Sequence, residues 1–253
     1  MNHEIVISCF REDLSWIESI PSDIDITIYR KDEHYNPYQG LKKKILFKEI
    51  ILPNDGRETD TYLYHIINNY NNLKKHTIFT QGNPFPHNPN FIELLREKNN
   101  FEDLQPLSTQ INVGLPPSSL FDLNINNSIN HFSELKIFCP LISIYTLAPI
   151  HFYDPPIGWM YGESLKFLSL KEGQSPIKEL LRTCDFKLNF NKMKISSVHH
   201  WCMGAIFSVN KKRILQHSKK SYELLKEINK SNYSIGYLME RSWMLLFDNS
   251  LAL

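Results

Sequence analysis

The stretch from Asp55 to Pro84, DGRETDTYLYHIINNYNNLKKHTIFTQGNP, decides the fold. Asp55 is followed three residues later by Glu58, the reciprocal spacing in which an Asp side chain takes the amide at the third helical position and Glu folds back on the cap amide. A helix is therefore predicted to begin here. Tyr62, Leu63, Ile66, Ile67, Tyr70 and Leu73 recur at intervals of one, three and four, one face of a 3.6-residue period. His76 to Thr80 supplies a strand, and Gln81-Gly82-Asn83-Pro84 breaks it. An apolar helix face next to a short apolar strand packs on a sheet.

Working outward, Glu4 to Phe10 reads as a strand, followed by the polar turn Arg11-Glu12-Asp13 and by Leu14, Trp16 and Ile17 at helical spacing. Asp25 to Tyr29 and Ile45 to Phe47 read as two further strands. Residues 99 to 133 hold Pro106, Pro116, Pro117 and many Asn and Ser, so an irregular surface excursion is expected. Lys136 to Leu147 regains strand character, and His151 to Tyr161 reads as an aromatic, proline-broken loop. Ser175-Pro176 caps a helix to about Arg182. Ala205 to Val209 is a strand, and Asn210 caps a long helix with the stripe Ile214, Ser218, Tyr222, Leu225 and Ile228. A last helix runs from about Ser234 to Phe247. The alternation implies one α/β domain with a mainly parallel sheet covered on both faces.

The chain of 253 residues has 28 Lys and Arg against 27 Asp and Glu, a formal charge of +1, and 42% hydrophobic residues. Such a balance argues against a dedicated nucleic-acid binder and for a substantial core. Cys9, Cys139, Cys184 and Cys202 are far apart, without the close pairs of a structural zinc site. A reducing, cytoplasmic setting is expected. The N-terminus lacks the basic, apolar, small-residue order of a signal peptide. The longest uncharged run, Ile137 to Tyr153, is broken by Pro140 and Pro149, so no transmembrane segment is expected; peripheral membrane association stays open.

Ligands of open α/β sheets sit outside the carboxyl ends of the strands. That singles out Phe10, Arg11, Glu12 and Asp13, then Gly56, Arg57 and Glu58, then Gln81, Gly82 and Asn83. Arg11 and Arg57 suit phosphate, and unsatisfied amides at a helix start favour an anion. The competing reading of Asp55 and Glu58 is structural capping. Divalent-metal transferases usually show two carboxylates one residue apart at a strand end, whereas Gln81-Gly82-Asn83 offers amides, so no metal site is expected. His199, His200 and Cys202 are too few for zinc and lack an orienting partner for a nucleophile; sugar contact is the better role for the histidines. Glu240 shares a helical face with Trp243, Met244 and Phe247. Partial burial there would raise its pKa toward that of a general base, against the plain alternative of a surface Glu.

The runs Ile7-Ser8-Cys9-Phe10-Arg11-Glu12-Asp13-Leu14-Ser15-Trp16, Leu52-Pro53-Asn54-Asp55-Gly56-Arg57-Glu58-Thr59-Asp60-Thr61-Tyr62-Leu63 and Phe79-Thr80-Gln81-Gly82-Asn83-Pro84-Phe85 resemble an uncharacterised family of fungi, bacteria and large viruses, catalogued as a domain of unknown function. Gly204-Ala205-Ile206-Phe207-Ser208-Val209, and then Gly236-Tyr237-Leu238-Met239-Glu240-Arg241-Ser242-Trp243, are similar to the closing half of bacterial polysaccharide glycosyltransferases of the GT-A fold. This resemblance implies a Rossmann-like GT-A domain over 1–253, with a nucleotide-binding half at 1–98 and an acceptor-binding half at 99–253. It implies a sugar transferase in polysaccharide biosynthesis with a nucleotide-sugar donor, a UDP-sugar first, and a glycan acceptor. Glu240 would be the base, with Arg241 orienting it or touching phosphate. His151 to Trp159, and His199, His200 and Trp201 with Gly204 nearby, would face the acceptor. The resemblance also implies Mn or Mg and an Asp where this chain has Asn83, a departure that counts against the metal. The alternative is a non-catalytic nucleotide- or glycan-binding module of the same fold.

Overall fold

The computed structural model describes residues 2–108, 140–149, 154–192 and 197–251. Strand β1 (His3–Cys9) is buried along almost its whole length. Ile5, Ile7 and Cys9 enter one core layer and Val6 the other, as the alternation of a strand covered on both faces requires. A short 3-10 turn at Ser15–Ser19 leads to β2 (Ile24–Arg30), then β3 (Lys48–Ile51), α1 (Arg57–Asn69), β4 (His76–Gln81), α2 (Phe91–Arg96) and β5 (Leu104–Pro106).

A two-stranded antiparallel ribbon, β6 (Leu141–Ser143) and β7 (Val198–His200), brackets α3 (Ile157–Phe167) and α4 (Pro176–Thr183). Strand β8 (Phe207–Asn210) then returns to the main sheet, followed by α5 (Lys211–Leu215), α6 (Lys219–Ser231), α7 (Ser234–Glu240) and α8 (Trp243–Leu246). The sheet order is β3-β2-β1-β4-β8-β5. Neighbours from β3 to β4 pair in parallel, and β8 runs antiparallel to both β4 and β5. It is thus a mainly parallel, mixed α/β sheet.

Helix α1 lays Tyr62, Leu63 and Ile66 on the layer that holds Val6, Phe79, Phe207 and Trp243. Leu14, Ile17, Phe91, Leu94 and Leu95 cover the opposite face. Full burial of each such side chain is worth about 1.5–3 kcal/mol, so both faces hold the sheet firmly. Cys9, Cys184 and Cys202 are free and buried; Cys139 lies outside the described residues. No helix among the described residues is long and apolar enough to cross a membrane.

Several elements differ from the sequence reading. Strand β3 begins at Lys48, beyond the expected Ile45 to Phe47, because Ile45 and Phe47 fill gaps in the second core layer while the ladder to β2 starts at Lys48. The expected cap is absent: Gly56, left-handed at φ 76°, is the N-cap of α1 and no side chain caps it. From Ile157 the expected loop is helix α3, entered through Pro155-Pro156, whose fixed φ suits a helix start; residues 150–153 lie outside the described residues. The helix expected from Asn210 to Ile228 is two. Asn210 accepts from Lys212 N at 3.0 Å, and Ser218 restarts the chain by accepting from Ser221 N at 3.1 Å. The last helix also breaks, after Glu240, where Ser242 Oγ donates to the Leu238 carbonyl at 2.6 Å; hydroxyls of this kind compete with the helical ladder. The excursion expected at 99–133 contains β5, and its remainder from 109 lies outside the described residues. The Ser175 cap is present, accepting from Lys178 N at 3.3 Å.

Candidate functional site

Strand order reverses direction at β1 and β4, since β2 and β3 extend to one side and β4, β8 and β5 to the other. The crevice outside the carboxyl ends of two such strands is where open α/β sheets bind ligands. A cleft of about 300 Å³ lies there, at the small end of the usual range for small-molecule sites. β1 contributes Ser8 and the loop after it Phe10 and Glu12, β4 contributes Gln81, and the residue after β2 is Lys31. The approach to α1 adds Asn54, Gly56, Arg57 and Glu58, and Tyr233 closes the far side.

The loops after β1 and β4 are locked to one another. Glu12 Oε2 accepts from the Phe10 amide at 2.7 Å, and its carboxylate fills the space a side chain on Gly82 would need. Trp16 Nε1 donates to the Gly82 carbonyl at 2.8 Å. Asp13 accepts from Ser15 N and Oγ at 3.0 and 2.7 Å, so it caps the following turn. Asn83 Oδ1 likewise takes the Phe85 amide at 3.3 Å.

The start of α1 is strained. Gly56 and Arg57 both hold positive φ, 76° and 57°, and a non-glycine residue in that region costs about 1–2 kcal/mol. Two contacts from elsewhere in the chain hold the turn: Asn229 Nδ2 of α6 donates to the Gly56 carbonyl at 3.1 Å, and the Lys31 ammonium donates to the Arg57 carbonyl. Only glycine fits at 56, since a Cβ there would lie 2.1 Å from Asn229 Nδ2.

Charge in this cleft is unevenly matched. Lys31 is 7% exposed, and among the described residues no carboxylate pairs with it directly. Burial pulls its pKa down to about 8, against the pull of Asp60 and Glu58. The Arg57 guanidinium sits 4.2 Å from the Tyr237 ring centroid and 3.5 Å from Glu58. Burial raises the Glu58 pKa in spite of Arg57. Glu58, nominated both as a binding residue and as a capping partner, takes no part in a cap; its carboxyl lines the cleft with a side chain 11% exposed.

The C-terminal half reaches the same rim. β8 runs antiparallel to β4, so the residues before it arrive at the carboxyl end of β4. Gly204, at φ 65°, approaches so closely that a Cβ would meet Gln81 Nε2 at 2.7 Å. Its amide donates to Glu240 Oε1 at 3.0 Å, and Glu240 is near enough to Arg57 and Glu58 to act on both electrostatically. Segments distant in sequence around Arg57, Gln81 and Glu240 therefore do meet.

Other candidates lie elsewhere. Arg11 stands at the same edge but has a 65% exposed side chain and pairs with Asp32 at 2.7 Å. Arg241 is buried in an ion pair with Asp154, its guanidinium 4.2 Å from the buried Trp201 ring. His199 is buried in β7 with Nε2 2.6 Å from the Arg241 carbonyl, and burial lowers its pKa to about 4. His200 follows it in the same small ribbon. Arg11, Arg241, His199 and His200 do not line the cleft. Among the described residues no group of three or more His, Cys, Asp or Glu side chains could hold a metal ion; the positive charge of the cleft comes from Lys31 and Arg57. Lys31 escaped the sequence reading, and its signal was position alone, directly after a strand's carboxyl end.

Fold and site together define an α/β protein with a polar cleft at the switch point of its sheet. Residues 5–110 match the model of a family described as protein of unknown function (DUF3431). That stretch carries β1 to β5 and every cleft residue except Tyr233. No curated protein and no solved structure matches the chain. The family match ends at residue 110, and no comparison reaches the C-terminal half.

Proposed function

We propose that the protein is a sugar transferase of GT-A type that moves a sugar from a nucleoside-diphosphate donor to a glycan acceptor. The observation that carries this reading is the meeting of Lys31 and Arg57 in one switch-point cleft, with Glu240, from a distant part of the chain, near enough to act on Arg57 electrostatically. As the bond from the sugar's anomeric carbon to the diphosphate oxygen breaks, Lys31, Arg57 and the Gln81 amide stabilise the departing charge. Glu240 takes the proton from the attacking acceptor hydroxyl. The Gly204 amide fixes one Glu240 oxygen and so orients the carboxylate. The strand order supports the donor side, because nucleotides bind outside the carboxyl ends of β1 and β4 in sheets so ordered. The cytoplasm, where nucleotide sugars are made, is the compartment this reading favours.

Glu240→Gln should lower transfer at least a hundredfold, the scale of general-base catalysis, with the melting temperature unchanged; full turnover by this variant would remove Glu240 from the chemistry. One observation favours a binding module instead: Gln81-Gly82-Asn83 stands where related transferases carry acidic residues. Calorimetry against a panel of nucleotide sugars separates the two, since a module binds donor and releases no free nucleoside diphosphate.

A further inference from the structure

Beside the cleft lies a group of aromatic side chains at the edge of the core, of which Tyr237 packs against it while Trp159 and Tyr233 are largely exposed. Trp159 is 53% exposed and Tyr233 59% exposed. Trp159 meets Tyr237 edge to face at 5.9 Å, Tyr237 meets Tyr233 at 5.4 Å, and the two tyrosine hydroxyls are 3.2 Å apart. Exposed aromatic area of this extent is costly in water unless something covers it.

Two features say what covers it. Tyr233, Tyr237 and Glu240 stand at i, i+4 and i+7, and the backbone is helical from Tyr233 onward, so they form one stripe. The carboxylate proposed as base and the aromatic rings are therefore adjacent steps of a single surface. Tyr233 also forms a wall of the cleft, and the Arg57 guanidinium lies over Tyr237; aromatic surface and cleft are continuous. On α3 the glycines at 158 and 162 have open space around their Cα atoms. Each glycine costs the helix about 1 kcal/mol relative to alanine, and their bareness leaves Trp159 unscreened.

We infer that Trp159, Tyr237 and Tyr233 form the acceptor subsite, a platform for a pyranose ring of a neutral glycan. This rests on the transferase reading for the role of Glu240. A pyranose presents C–H groups on its faces and hydroxyls around its rim, which suits aromatic rings edged by phenol hydroxyls and a guanidinium. A ring held against Tyr237 beside the Arg57 guanidinium has its next hydroxyls within reach of Glu240, three residues or about 4.5 Å further along the stripe. Phe10 and the β1 loop, across the cleft, are left to the donor.

The test is titration with a panel of neutral hexasaccharides of glucose, N-acetylglucosamine, mannose or galactose. Intrinsic fluorescence and calorimetry are read in parallel, with uridine diphosphate titrated separately. At least one hexasaccharide should bind and quench tryptophan emission. Trp159→Ala and Tyr237→Ala should each weaken it at least tenfold, and Trp159→Phe should keep affinity within threefold while losing the quenching. Because Trp159 is exposed, its variants should fold, which circular dichroism checks. Absence of binding across the panel, or Trp159→Ala binding as tightly as the unaltered chain, overturns the platform. Hexasaccharide binding that depends on Trp159 without any binding of uridine diphosphate would end the transferase reading and leave the platform standing.

Discussion

The two ends of the central sheet treat charge differently. At the amino ends of the parallel strands, Lys98 pairs with Asp23 at 2.8 Å, Lys74 with Asp25 at 2.8 Å, and Asn210 donates to Asp103 at 2.9 Å. His3 and His76 stack with centroids 5.4 Å apart. Charged groups there are paired, while His76 Nδ1 and Thr77 Oγ1 are buried without a hydrogen-bond partner. At the carboxyl ends a buried lysine meets only a neutral carbonyl, two left-handed residues stand in succession, and a buried carboxyl has a raised pKa. Unmatched charge and strained backbone persist where something other than stability holds them. The two ends of the same sheet thus differ in how their charge is matched, and the carboxyl ends are the ones the proposed function uses.

Gly56→Ala breaks that contrast most severely. The variant must hold a Cβ in the left-handed region and against Asn229, so stability should fall by about 2–3 kcal/mol, read as a lowered denaturation midpoint. A midpoint equal to that of the unaltered chain would mean that the turn relaxes without cost.

Lys31→Met and Lys98→Met compare the two ends directly. Lys31→Met should weaken uridine diphosphate binding at least tenfold, about 1.4 kcal/mol, while stability stays within about 1 kcal/mol, because an unpaired buried charge is removed along with one hydrogen bond. Lys98→Met should leave nucleotide binding untouched and cost about 1 kcal/mol of stability, because the buried Lys98 gives up a pair whose Asp23 partner is largely in solvent. Equal effects of the two substitutions on binding would erase the distinction.

A pH profile sharpens the same point. The folded pKa of Lys31, about 8, lies below its ordinary value of 10.5, so between these values the unfolded chain binds more protons and stability rises with pH. Binding of a diphosphate moves the other way, declining as the ammonium loses its proton above about pH 8. Lys31→Arg should flatten that decline; a profile unchanged by the substitution would assign the titration to another group.

Arg57→Gly carries the smallest effect and again opposite signs. Relief of the left-handed residue should stabilise the protein by about 1 kcal/mol, while nucleotide affinity falls. Loss of both would mean that Arg57 serves the fold.

Much of the sheet and part of the cleft lining were legible in the chain. The stripe Tyr62, Leu63 and Ile66 and the strand at His76 follow from periodicity, and position at strand ends picks out Phe10, Glu12, Gly56, Arg57, Glu58 and Gln81, which line the cleft. Spacing misled where a local hydroxyl or backbone twist competes with a pattern. Ser218 sits on a helical stripe yet caps a new helix, and Asp55 with Glu58 fits a capping pair that the left-handed Gly56 prevents. Lys31 reads as a solvated charge in one dimension, because its burial is created by α1 and α6 arriving from far along the chain. Arg241 was drawn to the site by its place next to Glu240 in sequence and His199 by its neighbours His200 and Cys202, whereas in three dimensions His199 Nε2 and the Arg241 carbonyl meet each other at 2.6 Å, away from the cleft.

The central claim is that the switch-point cleft holds a nucleoside diphosphate. A crystal structure with uridine diphosphate tests it most directly. Density for the two phosphates between Lys31, Arg57 and Gln81 is the predicted result. A nucleotide bound elsewhere, or an empty cleft at saturating nucleotide, contradicts it.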